Sequence, residues 1–234
     1  MRKPLTVAVA QPPCVSYDVG ANAAADAATV RSAGARVVVF PELSLTGYEL
    51  DAPAITVDDP RWAPIVEACA EAGSLALVGA PVNGDAGKPH IAMAAVDGTG
   101  VTVAYRKMWL HSTESDRFAP GADPAVLAVD GWRLGLAICR DTGVPEHVSD
   151  TAALGIDIYV AGVLDAVKDA AVMPERARRA AGEHGVAVAV ASFAGSTGGG
   201  FDQAAGRSAI WNADGVVVAQ AGPEPGAVAQ ATLS

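Results

Sequence analysis

Aromatic side chains are scarce in this chain, at 5% of 234 residues, and cysteine occurs three times, at Cys14, Cys69 and Cys139. An odd number of widely spaced cysteines does not read as a disulfide framework, so a reducing, cytoplasmic setting is expected. No apolar run is long enough to cross a bilayer. Arg2 and Lys3 charge the start, but Leu5 to Ala10 is too short for the apolar part of a signal peptide and runs into Pro12 and Pro13. Neither secretion nor membrane attachment is expected. Basic residues are outnumbered, 16 against 26 acidic ones, which gives a formal charge of −10. That balance argues against nucleic-acid binding and favours solubility. There is no Gly-x-Ser-x-Gly elbow to support an ordinary serine hydrolase. The glycine-rich stretch from Gly195 to Gly200 has no following Lys-Ser/Thr and opens no helix, so it is not a phosphate loop. His90, His111, His147 and His184 stand far apart and no Cys-x-x-Cys occurs. No metal site is expected, and no cofactor.

What the chain does have is a large apolar fraction, 51%, dominated by alanine and valine. Its length suits one domain over 1–234 with a sizeable core. Short β-branched runs bounded by Pro, Gly or Asp predict buried strands at Leu5 to Ala10, Arg36 to Phe40, Leu75 to Pro81, His90 to Val96 and Val101 to Lys107. Turns are expected at Asn83-Gly84-Asp85 and Asp97-Gly98. Further strands are expected at Ala125 to Val129, Trp132 to Ile138, Ile156 to Ala161, Val186 to Ser192, Arg207 to Asn212 and Val216 to Gln220. Helices are expected over Gly20 to Ala33, capped by Asp18 or Asn22, over Pro60 to Ala72, Pro145 to Leu154 and Pro174 to His184. The stretch His111 to Gly121 reads as a polar loop. Arg176, Arg178 and Arg179 read as a helix face holding intramolecular ion pairs. Strands alternate with helices early and late, with hairpins between them, which is an α/β layered pattern.

Three ionisable residues end, or nearly end, apolar strands: Glu42, Lys107 and Cys139. Strand ends in a layered α/β domain converge on one crevice. A carboxylate moves a proton between a thiol and a leaving amine. A lysine holds charge developing on a carbonyl oxygen, and a cysteine forms the covalent intermediate. Cys139, at a strand end facing a helix start, stands where thiolates are stabilised. Base, cation and thiol make a complete kit for acyl transfer. Cys69, inside an apolar helical pattern, reads as core, and Cys14 as a loop bystander.

Three ordered blocks carry a resemblance. Phe40-Pro41-Glu42 with Thr46-Gly47-Tyr48, Tyr105-Arg106-Lys107, and Cys139-Arg140-Asp141 with Pro145-Glu146 resemble the signature blocks of the nitrilase superfamily of carbon–nitrogen hydrolases. Supporting matches run along nearly the whole chain, among them Phe118 to Gly121 and Gly206-Arg207-Ser208. The resemblance implies a four-layer αββα sandwich that pairs into a homodimer or higher homo-oligomer. It implies Glu42 as general base and acid, Lys107 as oxyanion stabiliser, Cys139 as nucleophile and the Arg140 amide as a second oxyanion donor. Glu114, in the loop after the lysine, carries over as an orienting residue.

The departures bear on substrate. Trp109 stands where members often have histidine, and Arg140 where tyrosine or tryptophan commonly follows the cysteine. The Cys-Arg-Asp order lowers a nitrile-cleaving reading relative to a linear amide or N-carbamoyl substrate, without removing it. A non-catalytic binding or regulatory role is the remaining alternative. Tyr48, Trp109, Phe193, Leu164 and Arg140 are the candidate substrate-binding residues. For Arg140 a structural pair with Asp141 or Asp165 is favoured over a substrate carboxylate.

Overall fold

The computed structural model describes residues 2–84 and 87–234. Asp85 of the expected Asn83-Gly84-Asp85 turn lies outside them. Two six-stranded mixed sheets stack face to face, each covered by helices on its outer side. The first contains β1 (Leu5–Ala10), β2 (Val37–Val39), β3 (Leu75–Val82), β4 (His90–Asp97) and β5 (Gly100–Arg106). The second contains β6 (Ala125–Val129), β7 (Trp132–Ile138), β8 (Ile158–Val163) and β9 (Ala187–Ser192). Two short strands, β10 (Ala194–Gly195) and β11 (Ala204–Ala205), pair with each other. β12 (Ala209–Trp211) and β13 (Val217–Gln220) extend the second sheet, and β14 (Val228–Leu233) returns to the first. Strands β1, β2 and β3 run parallel, as do β7, β8 and β9, and the outer strands add antiparallel.

The two-residue period of a strand sorts the apolar side chains into layers. Leu5, Val7 and Val9 of β1 face the core between the sheets, while Ala8 and Ala10 face the outer helices. On that outer side lie α1 (Val19–Ala33) and α2 (Ala63–Ala72); the latter is preceded by a 3-10 turn at Pro60–Trp62. Asp18 caps α1 by accepting from Ala21 N at 2.9 Å. Gly34 and Gly73, both left-handed, end α1 and α2. A single turn, α3 (Ser112–Ser115), interrupts the expected loop after Lys107. α4 (Pro145–Ala153) and α5 (Val172–His184) cover the second sheet. Among the described residues no helix is long and apolar enough to cross a membrane.

Two differences from the sequence reading stand out. β8 begins at Ile158 rather than Ile156, because Gly155 adopts a left-handed turn and the Asp157 carboxylate is taken by Arg133 N. Strand β14 carries no sequence signal: its alternation of alanine with Gln230 and Thr232 is weak, and its partner is β1, over two hundred residues away.

Candidate active site

Glu42 is placed by a close approach of backbones. After β2 the segment Phe40 to Leu43 threads between β3 and β8, where both neighbours are glycine. A methyl group at Gly79 would overlap the Pro41 carbonyl, and one at Gly162 would lie 2.5 Å from the Phe40 carbonyl oxygen. Leu43 then turns the chain with φ 52°. The Glu42 side chain is left at the ends of the strands, 1% exposed.

Lys107 follows β5. Its N–H donates to Ile91 O at 2.8 Å and its carbonyl accepts from Gly121 N at 2.8 Å, so the turn is tied at both ends. The side chain is fully buried, and its Nζ donates to Glu42 Oε1 at 2.6 Å and to Glu114 Oε1 and Oε2 at 2.7 and 2.8 Å. α3 supplies Glu114, whose carboxylate also accepts from Tyr48 OH at 2.6 Å and from His111 N at 2.8 Å. An ammonium has three protons. With one directed to each carboxylate, the third is left for a ligand.

Cys139 comes from the other sheet, at the end of β7. It has φ 45°, a left-handed conformation that is costly for a side chain other than glycine and is met most often at functional turns. The turn is clamped by the Thr142 hydroxyl, 2.6 Å from the Cys139 carbonyl oxygen, and by Asp141, which accepts from Ile138 N at 2.9 Å. Asp141 also accepts from Trp109 N at 2.9 Å and from Tyr105 OH at 2.7 Å, so one buried carboxylate ties the cysteine turn to the lysine turn. Behind it, His147 bridges the hydroxyls of Tyr105 and Tyr159 at 2.8 and 2.9 Å. Cys139 Sγ lies 3.7 Å from Leu164 O.

Burial pushes the Glu42 carboxyl up to about 7; the Lys107 ammonium opposes that shift and the Glu114 charge adds to it. Burial alone would discharge Lys107, but the surrounding Glu42, Cys139 and Glu114 outweigh it and hold the ammonium. Glu114 is kept below its ordinary value against its burial, chiefly by Lys107. Cys139 departs from the sequence expectation. Burial, reinforced by the nearby Glu42 charge, raises the thiol well above its ordinary value. The residues that follow it form a 3-10 turn, Cys139–Gly143, and α4 begins only at Pro145. At rest Cys139 is therefore a neutral thiol. Glu42 Oε2 is buried and has no hydrogen-bond partner among the described residues.

A cavity of about 760 Å³ opens onto Cys139. Tyr48 and Leu164 line it as expected from the sequence, together with Phe201, whose ring meets that of Tyr48 edge-on at 5.3 Å. Three expected wall residues do not belong to it. Phe193 is fully buried in the core between the sheets. Trp109 gives its backbone N–H to Asp141 while its side chain is 41% exposed. Arg140 is exposed and pairs with neither Asp141 nor Asp165; its guanidinium meets His111 Nδ1 at 3.4 Å. Asp141 is fully buried and already accepts from two backbone amides and a tyrosine, whereas Arg140 is exposed. The arginine face of α5 is also corrected: among the described residues no carboxylate lies at ion-pair distance from Arg176, Arg178 or Arg179. Arg176 instead donates to Thr142 Oγ1 at 3.3 Å and lines the cavity.

Sequence reasoning missed His111, Asp165, Asp169 and Arg176 as cavity residues. Asp165 was within reach of the strand-end rule, since it follows the apolar run that forms β8. Arg176 was hidden on a helix whose arginines look alike in sequence.

Comparison with known proteins gives a consistent result. The family model described as carbon-nitrogen hydrolase matches residues 6–234. A hydrolase of Mycobacterium tuberculosis is 35% identical over 156 residues, 62% of this chain and 54% of that protein, so the chain spans about half the length of this curated relative. A hydrolase from the pqqF 5′ region of Pseudomonas protegens is 28% identical over 94% of this chain and 80% of its own. Among solved structures, a mutant amidase from Nesterenkonia sp. AN1 superposes with a TM-score of 0.86 and 25% identity, covering 98% of this chain and 90% of that one. It carries the acetamide moiety of fluoroacetamide covalently on its active-site cysteine.

Proposed function

This chain belongs to the carbon–nitrogen hydrolase family, and from that premise we propose that it hydrolyses a small linear amide, with Glu42, Lys107 and Cys139 as its catalytic residues. One observation carries the reading. Glu42 Oε1 is fixed by Lys107, while Oε2 is buried without a hydrogen-bond partner among the described residues, and the Cys139 thiol lies near enough to favour the ionised carboxylate, which leaves Oε2 free to take a proton. A neutral thiol needs such a base in the attacking step. Cys139 Sγ bonds to the amide carbon as its proton passes to Glu42. Negative charge gathers on the carbonyl oxygen, where the third proton of Lys107 and the Arg140 N–H meet it. Fixed donors of this kind contribute about 3–4 kcal/mol each when buried.

The C–N bond then breaks as Glu42 returns the proton to the departing nitrogen, releasing ammonia or an amine and leaving a thioester. Water enters, gives a proton to Glu42 and attacks the thioester. The carboxylic acid leaves, and the proton goes back to sulfur. Glu114 holds Lys107 in line and balances its charge throughout. The amidase from Nesterenkonia, whose active-site cysteine bonds covalently to the acetamide moiety of fluoroacetamide, supports a nucleophilic role for the cysteine. Turnover of short aliphatic amides, measured as ammonia release, tests the reading: Cys139→Ala is expected to abolish release and to leave the thermal unfolding transition in place. Undiminished release by that variant would exclude it.

A further inference from the structure

The ionisable side chains that line the cavity are unbalanced. Asp51, Asp165 and Asp169 face it, against one guanidinium, Arg176. His111 on that wall is held below its ordinary value by burial and by Lys107, and Tyr48 and Cys139 are raised by burial, so none of the three adds charge near neutrality. Asp51 is engaged by Tyr17 OH at 2.6 Å. Asp165 is not engaged. It is half-buried, and among the described residues no donor bonds its carboxylate and no cation lies at ion-pair distance. Its backbone is held in place: Asp165 O accepts from Ala205 N at 2.8 Å, and Ala166 bridges to Ala204. The preceding residue, Leu164, touches the sulfur of Cys139 through its carbonyl. An unpaired carboxylate is thus fixed one residue away from the nucleophile's contact, on the wall of the cavity that the substrate must enter.

Resting on the amide-hydrolase reading, we propose that the substrate is a short-chain amide that carries an ammonium group, and that Asp165 is the residue that selects it. A half-desolvated carboxylate without a partner is a cost that a cationic ligand removes, and a charge-assisted hydrogen bond there is stronger than a neutral one. The charge around the cavity decides between cation and anion. A substrate carboxylate would meet Arg176 and three like charges as well, whereas an ammonium lowers the local excess. Arg176 is anchored on the cysteine turn through Thr142 and stacks over Gly143, where a methyl group would lie 2.7 Å from its Cζ. From there it opposes the burial that pushes Asp165 up to about 6 and so keeps that carboxylate ionised at neutral pH. The proximity of Asp165 to the thiol sets the length: the ammonium sits only a few bonds from the carbonyl carbon.

Three amides of similar size separate the outcomes. β-Alaninamide carries an ammonium where butyramide has a methyl, and succinamate carries a carboxylate. The parent enzyme is expected to show kcat/KM for β-alaninamide roughly tenfold or more above that for butyramide, the scale of one charge-assisted hydrogen bond. Asp165→Asn is expected to remove that preference, mainly through a raised KM for β-alaninamide, and Asp165→Glu to restore part of it. Equal rates for β-alaninamide and butyramide in the parent, an unchanged preference in Asp165→Asn, or a preference for succinamate would each overturn the assignment of Asp165 while leaving the amidase intact. Failure of all three compounds to be turned over or to acylate Cys139 would overturn the underlying reading, and this inference with it.

Discussion

At the scale of single residues, two buried carboxylates titrate away from their usual range for different reasons. Glu42 rises to about 7 because it is buried, although Lys107 beside it favours the ionised form. Only ionised Glu42 can accept the thiol proton, so kcat/KM is expected to fall as pH drops through about 7, and Glu42→Gln to lose about 10²–10⁴ of the rate. A pH–rate profile that stays flat from pH 8 to pH 5 would exclude Glu42 as the base. Asp26, within α1, is fully buried with neither oxygen partnered among the described residues, and burial raises its carboxyl well above the ordinary value. The unfolded chain ionises this group from about pH 4 upward, while the folded chain keeps the proton. Stability is therefore lost as pH rises through the unfolded value, until the folded group also ionises. Asp26→Asn is expected to match the parent near pH 3 and to exceed it near pH 8 by about 1–3 kcal/mol, as read from denaturant midpoints at the two pH values.

At the scale of elements, the site depends on how closely the Phe40 to Leu43 segment lies against β3 and β8. Gly162→Ala would bring a methyl group to 2.5 Å from the Phe40 carbonyl oxygen. The expected loss is about 1–3 kcal/mol, seen as a lower Tm. A fall in kcat well beyond the unfolded fraction is expected with it, because Glu42 shifts with its backbone; a misplacement near 1 Å costs about 10²-fold. Normal kcat in a destabilised variant would show that this contact serves stability alone. The elements that hold the candidate catalytic groups were legible because each is a compact apolar run before an ionisable residue: β2 before Glu42, β5 before Lys107 and β7 before Cys139. Packing partners were not. Phe193 and Trp109 look equally suited to a pocket wall in sequence, yet one lies between the sheets and the other faces solvent. Arg140 gave a misleading signal because adjacency to Cys139 says nothing of where a long side chain points. The neutral state of the Cys139 thiol likewise depends on burial and on Glu42, neither of which a strand-end position reveals.

At the scale of the whole molecule, the proposed reaction draws on both sheets. Glu42 and Lys107 stand at strand ends of the first and Cys139 at a strand end of the second, so the stacking of the sheets sets the distance between base and nucleophile. β14 helps to fix that stacking: it pairs with β1 over Leu5↔Leu233 to Ala10↔Val228 and directs Ala229 into the core between the sheets. Ala229→Asp would place a carboxylate there and is expected to cost about 3 kcal/mol; a parent-like Tm would contradict this packing. The layered class was legible in the alternation of strands and helices. The closing partnership of β1 and β14 was not, because a pairing between distant segments leaves no local pattern. Whether the two sheets bring Cys139 and Glu42 together for acyl transfer can be read from intact-mass analysis of the protein quenched during turnover of a short amide. An added acyl mass is expected on Cys139, absent in Cys139→Ala and failing to form in Glu42→Gln. Turnover that proceeds in the Cys139→Ala protein, or an acyl group carried on another residue, would contradict it.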